Sequence, residues 1–522
     1  MDSRKMLTFT NPATGETFGE VAMATLQEAH QAVDDMRIAY KLWSQKTVQD
    51  RVHILGMLQQ VIIDLLDEIT AVINKDTGKT RQDAFSEVFM TVDLINLYRN
   101  NAQRWLQRHR VSHGIYFFKS CYIEPRPYGV VLVITPWNYP FYMAMPPVIA
   151  ALLAGNTVVM KPSEVSPASS VMMEMLFKLI PELAPFVRVV HGDGSVGAAL
   201  VKAKPNYIFF TGATTTGRKV MQVAAENLIP VTCELGGKDA LIVLEDANTE
   251  EAARWSVWGA CYNTGQTCMA VERAYVVEKV YDEFVHYAVA YSEQIKMGYT
   301  DDINSPYTFS SMTDPRLLKS ISLQLDDAVA KGAKIICGGR IKGMYIEPTV
   351  VVDVDHNMLL MCEETNGPIL PIMKVKDEAE AIEKANDSIY GLGASIWSNN
   401  HARAMRVAHQ VEAGTILVND TIVQIAIPML PYGGVKQSGF GRMHGKEGFI
   451  QFTQPISYAI GGSPVKWDIA TIMRKPGNYR LGFTFLHLLF GISIRQRIQP
   501  IINLFKYKQT IGRFNSKGRT LR

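Results

Sequence analysis

The sequence predicts an α/β protein built on largely parallel sheets, and two patterns in its 522 residues carry that reading. Short apolar runs alternate with longer stretches of helical periodicity, the signature of βαβ units. The runs also end on polar or glycine-containing residues, and in open α/β sheets the carboxyl ends of the strands form the ligand crevice. Val130–Ile134 reads as a buried strand ending at Thr135-Pro136, which puts Asn138 just past its end and before the apolar segment Met143–Leu153. Thr157–Met160 ends at Lys161-Pro162-Ser163-Glu164, and Val187–Val190 ends at His191-Gly192-Asp193-Gly194. Tyr207–Phe210 ends at Thr211-Gly212, with a helix predicted from about Arg218 to Glu226. The second half, from about Gly236 to Tyr432, repeats the alternation, with strands predicted at Ala240–Val243, Ala274–Val277 and Gly414–Val418. With no short-period repeat or low-complexity linker, two interlocked α/β lobes fit better than a string of modules.

Composition narrows the class further. An apolar fraction of 47% with 20% charged residues belongs to an ordinary globular protein, not a disordered or fibrous one. Six scattered cysteines without C-x-x-C spacing indicate neither a disulfide framework nor a metal site, and a reducing compartment follows. No secretory apolar run opens the chain, so a cytoplasmic location is expected.

The net charge of +3 conceals an asymmetry: residues 461–522 carry +11, leaving −8 on the rest. Within that tail, Leu481–Ile494 is strongly apolar but too short to span a bilayer, which takes about 20 residues. Ile494, Ile498, Ile501, Ile502 and Phe505 then recur at helical spacing among Arg495, Arg497, Lys506 and Lys508. A basic amphipathic stretch of this kind is expected to lie on an anionic membrane surface. A helix packed on the protein itself or on another subunit is the alternative. Nucleic-acid binding is disfavoured, because the tail is too apolar for an electrostatic arm.

Three segments could carry chemistry. Gly212-Ala-Thr-Thr-Thr-Gly217 follows a predicted strand and opens a predicted helix, where backbone amides favour a phosphate, although a structural turn fits the two glycines equally well. Glu234-Leu-Gly236-Gly237-Lys238 sets a carboxylate beside permissive glycines, and on spacing alone a solvated helix-start acid is the simpler reading. Cys268 follows the polar turn Asn263-Thr-Gly-Gln-Thr267, whereas Cys121, Cys233, Cys261, Cys337 and Cys362 read as small buried hydrophobes. As a nucleophile, Cys268 would need its thiolate favoured by amides or a nearby positive charge.

Together with Pro136-Trp-Asn138-Tyr-Pro, Lys161-Pro-Ser-Glu164, Glu363-Glu364, and Pro431-Tyr-Gly-Gly-Val-Lys-Gln-Ser-Gly-Phe-Gly-Arg442, these segments occur in one order and spacing. About residues 8–460 thereby resemble the NAD(P)-dependent aldehyde dehydrogenase superfamily. The resemblance implies a Rossmann-type cofactor domain (1–108 and 128–236), an α/β catalytic domain (237–436) and a small β oligomerisation element (109–127 and 437–460). It also implies a homodimer or homotetramer. It assigns Cys268 as nucleophile, Asn138 as the amide donor of the oxyanion hole, and Glu234 as the general base whose presence favours a free acid product. For the cofactor it implies Lys161 and Glu164 at the adenosine ribose, Gly212 and Gly217 at the pyrophosphate turn, Trp137 lining the site, and Glu364 at the nicotinamide ribose. A carboxylate at 164 favours NAD, with NADP possible. Tyr142, Met143 and Met269 are placed near the substrate tunnel, and no metal is implied. Where the family usually carries an aromatic residue, this chain has Asn366. That departure and the unusual tail motivate the alternative to an apolar-aldehyde oxidase peripheral at a membrane: a catalytically weak scaffold or binding protein keeping the fold.

Overall fold

Two sheets rich in parallel pairs organise the chain in the computed structural model, which describes residues 4–114, 116, 119–461, 474–475 and 478–503. The first has six strands in the order Gly439–Phe440, Val231–Glu234, Tyr207–Thr211, Val130–Ile134, Thr157–Lys161 and Val187–Val189. All pairs are parallel except Gly439–Phe440, which runs antiparallel to Val231–Glu234 at the edge. The central strands Val130–Ile134 and Thr157–Lys161 are buried at every residue, as continuous apolar runs in a doubly covered parallel sheet must be.

The second sheet has seven strands: Lys334–Cys337, Thr349–Val352, Ile369–Val375, Val271–Val277, Asp239–Val243, Gly393–Trp397 and Thr415–Val418, in that order. Lys334–Cys337 is its antiparallel edge. The α/β class is therefore as predicted, and most predicted strands fall within a residue or two of those observed. The helix expected from about Arg218 begins earlier, at Thr214 and runs to Ala225. Three threonines are poor helix formers, but a first turn tolerates them because its amides need no intrahelical partner.

Register explains why distant motifs meet. Ile134 lies opposite both Phe210 and Lys161, and Thr211 lies opposite Glu234. The segments leaving four adjacent strands therefore emerge at one level, bringing 135–138, 161–164, 212–217 and 234–237 to one edge. At Glu234 the chain leaves the first sheet, and at Asp239 it enters the second. Asp239 there pairs with Val271, three residues after Cys268. The site thus sits at the carboxyl ends of the first sheet but at the entry ends of strands in the second.

Both sheets belong to one unit, residues 1–109 and 123–456. Residues 110–122 and 457–522 form the second unit. Its described part includes strand residues of a three-stranded sheet ordered Thr453–Gly461, Lys119–Pro127, His109–Val111, and the helix Asn478–Phe490. A further helical stretch covers 494–503; Phe505 and the basic residues from Lys506 onward lie outside the described residues.

Candidate active site

Cys268 is presented by a turn that no ordinary helix end would make. After the helix Thr249–Cys261, three successive residues, Asn263, Thr264 and Gly265, adopt left-handed φ values of 53°, 59° and 71°. Gly265 is obligatory, since a Cβ there would stand 2.1 Å from the Gly367 carbonyl carbon. Thr264 is β-branched in a region worth of order 1–3 kcal/mol of strain. Hydrogen bonds over-determine it: Thr264 Oγ1 donates to the Ser310 carbonyl at 3.1 Å, and Asn263 Nδ2 donates to the Asn138 carbonyl at 3.1 Å.

Asn138 is fixed at both ends. Its Nδ2 donates to the Gln266 carbonyl at 3.0 Å, and its own carbonyl also accepts from Lys79 Nζ at 2.7 Å. Lys79 in turn pairs with Glu87 at 2.5 Å, with both side chains buried, and Glu87 accepts from the Phe141 and Tyr142 amides at 3.1 Å. Asn138 Oδ1 is buried without a protein partner. The Lys79–Glu87 pair escaped sequence reasoning, because neither residue sits in a motif and only the fold brings them together.

The Cys268 sulfur lies 3.0 Å from Tyr432 Oη. Burial pushes this thiol up to about 12, and the nearby carboxyls of Asp239, Glu364 and Glu234 push the same way. Glu234 is 3% exposed and neither carboxyl oxygen has a protein partner. Burial holds it well above the usual carboxylate range, with Arg442 opposing. The site therefore sets a buried thiol near a buried carboxyl that has no protein partner, and burial pushes both groups up.

Cys268, Asn138 and Glu234 line one cleft of about 740 Å³, and Trp137, Lys161, Glu164, Gly212 and Glu364 share its walls. Lys161 Nζ donates to Glu164 Oε2 at 3.3 Å and to the Pro162 carbonyl at 3.0 Å. The helix Thr214–Ala225 has no side-chain cap, so its first amides are free to meet an anion. Gly217 packs under Leu235, where a Cβ would come within 2.6 Å. Thr135 and Thr211, also on the walls, have buried hydroxyls without protein partners. An uncapped helix end, orphaned hydroxyls and a Lys–Glu pair on one elongated cleft are the donor set a dinucleotide satisfies.

Glu364 accepts from the Gly237 amide at 3.4 Å, and burial with the neighbouring Glu272 charge pushes its carboxyl up to about 7. Asn366 holds a left-handed φ of 53°, a conformation asparagine tolerates, and its side chain hydrogen-bonds to Glu364. The residue that departs from the aromatic pattern is thus a hydrogen-bond partner of Glu364.

A second cavity has a volume of about 600 Å³. Trp255, Trp258, Tyr262, Met90 and Ile422 make it largely apolar, and it reaches Thr267, next to the cysteine. Tyr142, Met143 and Met269, expected near a substrate tunnel, are core residues at 1%, 2% and 2% exposure, and none of them lines either cavity. Tyr142 is drawn away because its hydroxyl donates to the Ile425 carbonyl at 2.9 Å and lies 2.7 Å from His444 Nε2. It stands one layer behind the wall that Ile425 forms.

A strained cysteine turn on a cleft with unpaired polar donors is compatible with a cysteine-dependent oxidoreductase, and comparison with known proteins gives the family. Residues 1–457 match the aldehyde dehydrogenase family. The 4,4'-diapolycopene aldehyde oxidase of Methylomonas sp is 40% identical over 92% of this chain and 91% of that protein. The peroxisomal aminoaldehyde dehydrogenase 1 of Pisum sativum is 33% identical over 85% of this chain and 90% of its own. Among solved structures, betaine aldehyde dehydrogenase from Staphylococcus aureus in complex with NAD+ superposes with a TM-score of 0.84 at 29% identity, covering 89% of this chain and 93% of that one. The chain belongs to the aldehyde dehydrogenase family, oxidoreductases that use NAD or NADP.

Proposed function

We propose that this chain oxidises apolar aldehydes to free carboxylic acids, with NAD as the preferred cofactor, while held at an anionic lipid surface. One observation carries the reading: the residues implied as nucleophile, oxyanion donor and base share a cleft with the cofactor residues, and a largely apolar cavity reaches Thr267, the residue before the cysteine. The Cys268 thiolate attacks the aldehyde carbon, making a thiohemiacetal whose oxyanion the Asn138 amide and the Cys268 backbone N–H hold. A nicotinamide dinucleotide, which Lys161, Glu164 and Glu364 would hold in the cleft, would supply the acceptor for the hydride that leaves that carbon. The thioester left on Cys268 is cleaved by water that gives its proton to Glu234, releasing the acid and restoring the thiol. For that step Glu234 must first lose its own proton, so turnover rises with pH.

Glu164 on the cofactor wall accepts hydrogen bonds from a free ribose 2′-hydroxyl and repels a 2′-phosphate. The aromatic cavity favours an apolar chain, and the relative from Methylomonas sp is named for a 4,4'-diapolycopene aldehyde. At the lipid, the helix Asn478–Phe490 buries none of its residues and exposes Leu481, Phe483, Phe485, Leu486 and Phe490 to 49–64%. Apolar area left in water costs roughly 25 cal/mol per Å², which insertion recovers. Among the described residues no helix is long and apolar enough to cross a membrane. The test is NADH formation by the full chain with aldehydes of graded chain length. kcat/KM rising with chain length supports the reading, and no turnover with any aldehyde would favour the scaffold alternative.

A further inference from the structure

We propose that Tyr432 is a further catalytic residue, its phenol hydroxyl donating to the Cys268 thiolate and thereby setting how much of the enzyme is armed for attack. The inference rests on Cys268 being the nucleophile proposed above. Tyr432 is 2% exposed, and its Oη lies 3.0 Å from the Cys268 sulfur. Its position is fixed by a backbone bridge to Met443, whose carbonyl accepts from the Tyr432 amide at 2.8 Å.

The argument is differential. A neutral thiol is a weak acceptor, so a buried hydroxyl facing one recovers little of its desolvation cost. A thiolate makes the same contact a charge-assisted hydrogen bond, roughly twice as strong. The contact therefore stabilises the charged sulfur more than the neutral one. The carboxyls of Asp239, Glu364 and Glu234 act the other way and oppose ionisation of the sulfur. Burial keeps the phenol itself protonated, with the Cys268, Glu234 and Asp239 charges adding to that effect, so the donor is present throughout the working range. The nearest imidazole, His444, has its ring centroid 6.0 Å from that of Tyr432 and is kept neutral by burial, which lowers it to about 3.

Tyr432→Phe keeps the ring and removes the donor. Losing one hydrogen bond to a charged group raises the thiol titration by about one pH unit. Thiolate falls about tenfold while each thiolate gains about threefold in nucleophilicity, so alkylation below the titration midpoint slows about threefold. The experiment measures iodoacetamide alkylation of Cys268 in the full chain without aldehyde or cofactor, together with thiolate ultraviolet absorbance against a Cys268→Ala blank. A higher midpoint with slower alkylation in the variant is expected. An unchanged midpoint or equal alkylation overturns the proposal. Monofluorotyrosine at position 432, a stronger donor of nearly the same shape, should move the midpoint down, and an unchanged or higher midpoint there overturns it as well. Because neither readout needs turnover, failure of the dehydrogenase reading would show separately, as absent NADH.

Discussion

Cys268 and Glu234 do different jobs, and their variants should separate in time. Cys268→Ala is expected to abolish aldehyde oxidation while leaving NAD binding near normal, since the thiol forms the covalent intermediate without holding the dinucleotide; calorimetric titration of NAD beside a turnover assay checks both. Glu234→Gln should slow thioester hydrolysis more than hydride loss, giving a burst of NADH and then a slow steady state, and equal loss of both phases would move Glu234 to an earlier step. The same variant has a stability signature. Burial raises the folded-state pKa of Glu234 above its unfolded value, so wild type loses stability as pH rises from the ordinary carboxylate range toward that raised value. Glutamine carries no such penalty, and its thermal midpoint should exceed the wild type's by a margin that widens with pH. Melting curves across pH measure that margin.

At the scale of elements, the helix Arg81–Trp105 and the loop before it reach the chemistry through one buried ion pair. Lys79→Met leaves Glu87 charged and unpaired, a change costing about 3–5 kcal/mol. It also leaves the Asn138 carbonyl with Asn263 Nδ2 in place of two donors, so kcat should fall in whatever protein remains folded. Replacing both partners with apolar residues should restore neither stability nor kcat, because the buried Phe141 and Tyr142 amides then lose their acceptor, which denaturant titration and initial rates together can show. Gly265→Ala is expected to be more severe than a surface glycine change, because both the left-handed φ and the approach of Gly367 exclude a Cβ.

For the whole molecule, the strand stretches around 109–127 and 450–460 are the expected subunit contacts, and sedimentation in mild detergent should give a dimer or tetramer. Removing residues 462–522 takes away +11 of charge and every apolar tail run while leaving each site residue in place. The truncated enzyme should keep its rate on short, water-soluble aldehydes but lose both sedimentation with anionic vesicles and much of its rate on long-chain aldehydes presented in them. Salt should weaken binding of the full chain only in part, since screening removes attraction between charges and leaves insertion intact. Full-length protein that ignores vesicles at low salt would return the tail to a packed extension.

The α/β class, most of the strands that carry the site and the motif residues at their ends were legible in the sequence because each is local: an apolar run, a turn, a glycine pair. The strands Val231–Glu234, Thr349–Val352, Ile369–Val375 and Gly393–Trp397 escaped notice, since mixed or short apolar runs are ambiguous until a partner strand claims them. Cys268 and Glu234 were identifiable from resemblance, but the upward push of burial on both groups was not, because it depends on water exclusion by the packed chain. The direction of the Tyr142 side chain was illegible for the same reason: adjacency to a motif does not say which way a side chain is pulled, and the Ile425 carbonyl, 283 residues away, holds this one. By itself the sequence determined which residues could do the chemistry. Only the tertiary structure decided which of them face one another, because burial and long-range hydrogen bonds are properties of the packed chain and not of any segment.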